Sequence, residues 1–318
     1  MAFKPDITIL GTIVFDIFVL NFEKFPSRGQ AVKTDEIIYS IGGCGANPAI
    51  LLSKLGVNVS LIGSVGFDFW ASFILSVFKA YNVDTSFIKL SLNYPSAVSI
   101  LFLNKSGERS YIHRTGASNE LDIQHKELRQ IYKSKIFHIG GANLLPSIDG
   151  EPMAQILKKV KSKKVNTSVD LAWDVDGLWM EKLKYSLPYI DILMGNEDEI
   201  KTLTKSNNIK SSVKILHNAG VKTVVVKRGK KGSFVSQNFD QFDVPPFKVK
   251  VKDTTGAGDA FVGGFLYGFL NGMNIYECAR IGNYFGALVT TNIGAITALL
   301  DYEEFDIQQI LESNTIDL

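Results

Sequence analysis

The feature that most constrains the fold of this chain is an alternation of short, apolar, β-rich segments with helical segments. Strands are predicted at 8–15, 59–64, 136–139, 165–169, 190–194 and 223–227. Helices are predicted at 46–55, 69–81, 152–161, 197–204 and 211–219. This alternation predicts an α/β three-layer sandwich, in which helices cover both faces of a mainly parallel central sheet. A chain of 318 residues is long enough for one large α/β domain or two modest ones, and we predict a single domain over 1–318.

Two segments interrupt the alternation and predict a small second sheet. Residues 97–114 carry SILFLN and RSYIHR on either side of a KSGE turn, the pattern of a β-hairpin, and residues 30–41 form the other segment. Both segments follow predicted core strands at the same edge, so we predict that insertions of about 13–41 and 95–115 form a lid over the functional site. An apolar lid is costly to expose, which predicts a homodimer joined through the lids.

Charge and cysteine content exclude several classes of function. Lys plus Arg total 34 and Asp plus Glu total 32, so a net charge of +2 gives no general attraction to nucleic acid or to anionic membranes. Cys44 and Cys278 lie far apart without CxxC spacing, which argues against a disulfide framework and a zinc site. No pair of histidines has metal-binding helical spacing.

The hydropathy of the chain argues against a membrane protein. The apolar run at 7–20 is bracketed by Asp6 and Asp16 and is too short to span a bilayer. No other apolar stretch reaches about eighteen residues. We therefore expect a soluble, cytoplasmic protein whose partner is a small molecule, without a nucleic-acid or membrane partner.

The segment FKVKVKDTTGAGDAFVGGFLYGFL, at 247–270, predicts a strand, a glycine turn and a helix in succession. Phe and Val alternate with Lys over 247–252, which is typical of a half-exposed strand. After the turn, Ala260, Phe261, Phe265 and Phe269 recur at helical spacing. The turn is therefore expected at a helix N-terminus.

That turn combines an anion site with a candidate base. The first amides of a helix lack intrahelical partners and carry partial positive charge, so Gly256, Ala257 and Gly258 are suited to bind an anion. Asp259 follows directly and can accept the proton of an attacking hydroxyl. Phosphoryl transfer needs mainly positioning and charge stabilisation, which such a turn supplies. From these residues alone, an acidic helix start after a flexible loop remains an equal alternative.

DTTGAGDAFVGGFL closely resembles the C-terminal signature of the ribokinase-like (PfkB) carbohydrate kinases, and the likeness extends in order over nearly the whole chain. In that family the GAGD turn forms the anion hole and its Asp is the base. The resemblance implies an ATP- and Mg²⁺-dependent kinase that phosphorylates a hydroxyl of a sugar or sugar derivative. It assigns Asp259 as the base and Gly256, Ala257 and Gly258 as the anion hole.

The resemblance also implies a substrate site in the N-terminal half. IGGCGANPAILLSKLG, at 41–56, is similar to the family's other signature, and ILGTIVFDIF matches its first strand. Gly42 and Gly43 permit close backbone approach, Asn47 offers a donor and an acceptor, and Asp16 can accept two hydroxyl hydrogen bonds. A loop with a helix cap, and a turn Asp at a strand end, are the structural alternatives.

The nucleotide side is implied by two further matches. Asn196 and Glu199, in MGNEDEI, match an NxxE pair that orders Mg²⁺ and its waters, although a helix capping box has the same pattern. TVVVKRGKKG resembles the strand that reaches the phosphates, with Lys227 in place of the usual Thr and with Gly229 retained. Asn283 falls where relatives line the adenine pocket, and a helix face is the alternative.

Two segments bear on cations and on the choice of substrate. Asp253 and Thr255 resemble part of a monovalent-cation loop, which adds K⁺ as a candidate. VDLAWDVDGLW aligns with a segment that often has the pattern DxNxR, but it keeps only Asp170, with Ala172 and Asp174 at the other two positions. These departures leave the sugar unnamed.

Other nucleotide chemistries fit the sequence poorly. The chain has no GxxxxGK[ST] P-loop and no HRD or DFG motif, and its glycine turn lies near the C-terminus instead of after the first strand. The leading hypothesis is a sugar kinase. A nucleoside kinase and a non-catalytic sugar-binding regulator are the alternatives.

Overall fold

A nine-stranded sheet forms the centre of the computed structural model, which describes residues 3–104, 109–313 and 315–316. In spatial order its strands are β13 (Asp240–Val244), β12 (Ser233–Gln237), β11 (Thr223–Lys227), β10 (Ile192–Asn196), β9 (Asn166–Leu171), β8 (Ile136–Ala142), β1 (Ile7–Gly11), β4 (Val59–Gly66) and β5 (Asp84–Ser91). The strands from β11 to β5 are parallel, whereas β12 and β13 are antiparallel additions at one edge. The predicted, mainly parallel sheet is confirmed.

Helices cover both faces of this sheet over two apolar clusters. One face carries α1 (Ala46–Lys54), α2 (Phe69–Ala80), α8 (Ala257–Leu270), α9 (Ile275–Val289) and α10 (Ile307–Glu312). The other carries α3 (His125–Ile131), α4 (Glu151–Ser162), α5 (Trp179–Leu183), α6 (Glu197–Thr204) and α7 (Ile209–Asn218). The predicted three-layer sandwich is therefore confirmed. None of the helices in the described ranges has the length and apolar character needed to cross a membrane.

Glycines allow α8 to pack closely against its neighbours. A Cβ added at Gly264 would lie 2.8 Å from the Ile281 carbonyl oxygen, and one at Gly263 would lie 2.9 Å from Leu51 Cδ2. Larger residues at these positions would push α8 away from α9 and α1. This packing determines where the first turn of α8 lies.

The predicted small sheet is also present; three of its four strands overlap the two interrupting segments, and the fourth, β2, precedes them in the chain. Its spatial order is β3 (Ile37–Gly42), β2 (Val14–Val19), β6 (Ala97–Leu103) and β7 (Arg109–Arg114). β2 and β6 are parallel, and the other two pairs are antiparallel. The predicted turn at 105–108 lies outside the described residues.

The single strand predicted at 8–15 is wrong, because the chain divides there between the two sheets. β1 ends at Gly11 in the central sheet, and β2 begins at Val14 in the small sheet. The carbonyl oxygen of Thr12 accepts hydrogen bonds from the amides of Gly45 and Ala46, at 3.0 and 3.3 Å. The continuous apolar run conceals this break, since both strands are buried.

The half-exposed strand predicted at 247–252 is wrong as well. In the described part of the chain this segment is irregular, with a single bridge between Lys248 and Thr315. Phe247 is buried against α9, where its ring meets Tyr284 edge to face at 5.4 Å and lies 4.3 Å from the Arg280 guanidinium. Phe247 therefore packs on a helix and not beside a strand, whereas Val251 at the other end of the segment is 55% exposed.

Candidate active site

The predicted site residues lie largely at the carboxyl ends of the parallel strands, where ligands bind in open α/β sheets. The turn before α8 is the centre of this region. Gly256 is the N-cap of α8 and has φ of +74°, and a Cβ there would lie 2.3 Å from Ala295 Cβ. Both the backbone conformation and the lack of space require glycine. No side chain caps the helix, so its first amides are suited to an anion.

Asp259 lies in the first turn of α8 and is held by α1. Asn47 Nδ2 donates a hydrogen bond of 2.7 Å to Asp259 Oδ2. Burial raises the pKa of Asp259, while the Asn47 hydrogen bond and the positive charge of Lys227 oppose that rise. The carboxylate is only partly buried, so it is not enclosed in a packed interior. A partly desolvated carboxylate beside a helix start that no side chain caps is well suited to accept a proton.

Asp16 brings a second carboxylate to the site from β2. A Cβ added at Gly42 would lie 2.0 Å from Asp16 Oδ2, so glycine makes room for the carboxylate. Gly43 has φ of +107°, and a Cβ there would lie 2.4 Å from the Thr12 carbonyl oxygen. Burial raises the pKa of Asp16 to about 7 against a hydrogen bond from Ser99, and the charge of Asp259 contributes to the rise. The two carboxylates therefore interact electrostatically within one site.

Lys227 places a positive charge under the glycine turn. Its Nζ lies 2.7 Å from Asp170 Oδ1, and a Cβ added at Gly258 would lie 3.3 Å from the same Nζ. Burial alone would lower the pKa of Lys227, but the charges of Asp170 and Glu199 hold it above its ordinary value. Burial raises the pKa of Asp170 to about 7. An ammonium thus occupies the neighbourhood where a hydroxyl is usual in the family.

Asn196 and Glu199 form the capping box of α6. Asn196 Oδ1 accepts from the Glu199 amide at 2.8 Å, and Glu199 Oε2 accepts from the Asn196 amide at 2.7 Å. Burial raises the pKa of Glu199. No cluster of three or more His, Cys, Asp or Glu side chains suited to a metal occurs within the described ranges. One buried carboxylate fits a Mg²⁺ that is held mainly by phosphate oxygens and water.

Two other predicted ligands have well-defined positions. Asn283 is buried, and its Nδ2 donates to the carbonyl oxygens of Val244 and Pro245, at 3.2 and 3.0 Å. These contacts hold the chain just beyond β13. Gly229 has φ of +54°, with open space where a Cβ would point.

The candidate cation loop is closed by Asp253. Its Oδ1 accepts from the Thr255 amide at 3.0 Å and from Thr255 Oγ1 at 2.8 Å. Its Oδ2 accepts from the Gly294 amide at 3.0 Å. Asp253 thus joins the glycine turn to the loop after α9, and a monovalent cation there stays a prediction.

The residue Asp174, which replaces the usual Arg, has a structural position. Its Oδ2 accepts from the Trp179 amide at 2.6 Å, and its Oδ1 lies 2.7 Å from Lys182 Nζ. It therefore stabilises the start of α5. This departure from the family pattern supplies a helix contact in place of a ligand contact.

Sequence analysis missed the position of Cys44. Its carbonyl oxygen would lie 2.1 Å from a Cβ added at Gly140, so the loop before α1 rests on the end of β8. Burial and then the charges of Asp259 and Asp170 raise the pKa of the Cys44 thiol well above its usual range. The available signal was its place inside GGCGAN, between the glycines and Asn47.

Two residues of the small sheet were also missed. Ser99 Oγ lies 3.1 Å from His113 Nδ1, next to Asp16 across the strands. No sequence motif marks this pair, because strand register alone brings the two residues together.

A helix start suited to an anion, an adjoining carboxylate and a second carboxylate from a small sheet are the features expected of an α/β phosphotransferase for small alcohols. Comparison with protein families agrees, since the model described as "pfkB family carbohydrate kinase" matches residues 4–301. The chain belongs to this family, whose members are phosphotransferases with an alcohol group as acceptor. Membership implies ATP and Mg²⁺ use and a small-molecule substrate.

Relatives named as kinases cover nearly the whole chain. The chain is 29% identical over 315 residues to a probable fructokinase-5 of Arabidopsis thaliana, covering 94% of this chain and 95% of that protein. It is 29% identical over 308 residues to a ribokinase of Haemophilus influenzae, covering 95% and 97%. These relatives support a general sugar kinase function.

Solved structures share the fold. A ribokinase of Arabidopsis thaliana, solved with ribose and ATP, has a TM-score of 0.82 and 25% identity, covering 97% of this chain and 98% of that chain. A nucleoside kinase of Methanocaldococcus jannaschii has a TM-score of 0.78 and 23% identity, covering 97% and 99%. The second likeness concerns the fold alone.

Proposed function

We propose that this protein transfers the γ-phosphoryl group of ATP to a hydroxyl of a sugar or sugar derivative, with Asp259 as the general base. The position of Asp259 carries the proposal. It adjoins the uncapped amides of the turn that begins at Gly256, accepts a hydrogen bond from Asn47 and lies near the charge of Lys227. These groups meet the two needs of phosphoryl transfer, which are a proton acceptor and stabilisation of negative charge.

In the proposed reaction, Asp16, Asn47 and the backbone at Gly42 and Gly43 hold the sugar so that one hydroxyl faces Asp259. Asp259 accepts the proton of that hydroxyl as its oxygen bonds to the γ-phosphorus and the bond to the ADP oxygen breaks. The raised pKa of Asp259 makes its carboxylate a stronger base than an exposed aspartate.

Charge on the transferred group is stabilised by the amides at 256–258 and by the Lys227 ammonium. Bound Mg²⁺ supplies further positive charge to the phosphates, and Glu199 would hold it through water. Asn196 and Gly229 lie on the proposed nucleotide side, and Asn283 is assigned to the adenine end. Potassium at Asp253 and Thr255 remains a candidate that activity assays with K⁺ or choline would test.

A substrate panel tests this function. The purified protein is incubated with ATP, Mg²⁺ and either free pentoses, hexoses and their acid or deoxy derivatives, or nucleosides, and ADP release is measured. We expect turnover of one or more free sugars. Turnover of adenosine, inosine or cytidine with none of the sugars would contradict the sugar assignment.

A nucleoside kinase is the second candidate. Trp173 follows β9 at the same edge of the sheet as Asp170, and it is 53% exposed. An aromatic face in that position is able to stack on a nucleobase. The panel separates the two candidates, and phosphoryl transfer of either kind would exclude a non-catalytic sugar-binding regulator.

We also propose that two copies associate through the small sheet, which would act as a lid. The register aligns Tyr39, Ile17, Ile100 and Ile112 across its four strands. Tyr39 is 56% exposed and Ile112 is 60% exposed. Association with a second copy would remove this apolar row from water.

A further inference from the structure

Four polar side chains lie side by side across the small sheet. The strand register pairs Ser40 with Asp16, Asp16 with Ser99, and Ser99 with His113. Side chains alternate between the two faces of a strand, so residues at the same register level share a face. The four residues therefore form one polar row, opposite the apolar row described above.

The polar row lies on the side of the sheet that faces the glycine turn. Asp16 belongs to the row, and the negative charges of Asp259 and Asp253 contribute to the raised pKa of its carboxyl group. The Cβ of Ser40 would also lie 3.5 Å from a Cβ added at Gly294, in the loop that Asp253 anchors. A sugar held between Asp16 and Asp259 would thus lie against this row.

Hydrogen bonding along the row determines which atom of His113 is open to a ligand. Asp16 and Ser99 are register partners across β2 and β6, and an ionised carboxylate can only accept, so a Ser99 hydroxyl that bonds to it donates its one proton there. In that arrangement the Ser99 oxygen is left to accept, and the contact between Ser99 Oγ and His113 Nδ1, at 3.1 Å, has Nδ1–H as its donor. In a neutral imidazole the opposite nitrogen, Nε2, is then an acceptor.

The Nε2 atom has no hydrogen-bond partner among residues 3–104, 109–313 and 315–316, and His113 is exposed. Although part of the His113 side chain is exposed, desolvation by the surrounding protein lowers its pKa, which favours the neutral ring. Asp16 and His113 are separated by two inter-strand spacings, or roughly 10 Å between Cα atoms. A sugar of five or six carbons and the two side chains together span that distance.

We propose that His113 is a specificity-determining residue that accepts, at Nε2, a hydrogen bond from a sugar hydroxyl other than the one phosphorylated. This inference rests on the proposed function and adds to it, because it predicts a polyhydroxylated acceptor that contacts two sites on the small sheet. Asp16 holds hydroxyls near the reacting end, and His113 holds one at the far end. Ser99 connects the two residues and orients the imidazole.

The test uses the sugar with the highest kcat/KM in the panel and its mono-deoxy analogues. Kinetics and calorimetric binding are compared for the wild type, His113→Ala and the control His125→Ala, which changes an exposed histidine at the start of α3. We expect His113→Ala to raise the KM for the sugar about tenfold or more, with the KM for ATP unchanged. The control should match the wild type.

The deoxy analogues identify the bond itself. For the wild type, one analogue should have an affinity about tenfold lower than that of the parent sugar. For His113→Ala, the same analogue and the parent sugar should have equal affinities. If every analogue is discriminated equally by both proteins, or if the KM for the sugar does not change, the inference is wrong while sugar kinase activity stands. If the wild type neither binds nor phosphorylates any sugar, the proposed function fails first and the inference fails with it.

Discussion

At Asp259, burial and neighbouring charge act in opposite directions on one carboxylate. Burial raises its pKa, and the Asn47 hydrogen bond with the Lys227 charge limits that rise. The result is a carboxylate that is more basic than one in water. A base with these properties can take a proton from an alcohol only while the alcohol's oxygen is forming its new bond.

Asp259→Asn tests this role. The amide keeps the size of the side chain but cannot accept the proton, so we expect kcat to fall by at least about a hundredfold with little change in ATP affinity. Steady-state kinetics and ATP calorimetry measure the two quantities. Asp122→Asn, at an exposed position, is the matched control. A normal kcat for Asp259→Asn would show that another group is the base.

Asp16 is proposed to bind the sugar, and we expect its buried carboxyl group to lower the stability of the folded protein when it is ionised. The pKa of Asp16 is about 7 in the folded protein and 3.8 without burial. At pH values between these two pKa values, Asp16 is therefore protonated in the folded state and ionised in the unfolded state. Stability contributed by this group is therefore lost as the pH rises from about 4 to 7. Asp16→Asn, which never ionises, should be more stable than the wild type at pH 8.

Thermal unfolding of the unliganded protein measures this difference. We expect Asp16→Asn to gain up to about 4 kcal/mol at pH 8 and clearly less at pH 5. Sugar affinity should fall much more than ATP affinity. Equal stability of the two proteins at both pH values would mean that Asp16 is not buried as an acid in solution.

At the scale of elements, the ends of β9 and β11 are connected by an ion pair that crosses over β10. Asp170 and Lys227 are both shielded from solvent, and their atoms lie 2.7 Å apart. A buried pair contributes little net stability, but removing one partner leaves an uncompensated charge. We therefore explain the buried pair by its effect on position, because Asp170 holds the Lys227 ammonium near Gly258.

Lys227→Met separates the two effects. We expect it to destabilise the protein by about 3–5 kcal/mol, because Asp170 loses its partner. The double change Lys227→Met with Asp170→Asn should recover most of this stability but no activity. Urea unfolding and kcat measure the outcomes, and full turnover by the double variant would exclude a role for the ammonium in charge stabilisation.

At the scale of the whole molecule, the small sheet carries the polar row on the face toward the site and the apolar row on its other face. Next to the central sheet, the apolar row adjoins packed aromatic rings. The ring centroid of Phe15 lies 4.3 Å from that of Trp70 and 5.8 Å from that of Tyr39. Farther from these rings, Ile37 is 49% exposed and Ile112 is 60% exposed. A second copy of the chain is the proposed cover.

Light scattering during size-exclusion chromatography tests this assembly. We expect a wild-type dimer and an Ile112→Glu monomer, because a charge in the apolar row would be buried without a partner. The control is Ile215→Glu, on α7, where the parent side chain is 40% exposed. A wild-type protein that is monomeric at micromolar concentration would contradict the proposal.

Local sequence signals predicted the central strands and helices well. The predicted helix at 197–204 coincides with α6, because Asn196 and Glu199 provide both halves of a capping box. The break between β1 and β2 was not predictable, since both strands are equally apolar and the turn is stabilised by contacts with Gly45 and Ala46. The strand prediction at 247–252 was wrong because an alternating apolar pattern does not reveal whether the segment packs beside a strand or on a helix.

The sequence by itself determined the fold class, the family and the glycine turn with its carboxylate, because these depend on local periodicity and contiguous motifs. Only the tertiary structure decided that Lys227 lies under Gly258, that Asn47 holds Asp259, and that His113 adjoins Ser99. Those contacts join segments far apart in the chain. They depend on strand order and register, which result from the packing of the whole molecule and leave no local pattern in the sequence.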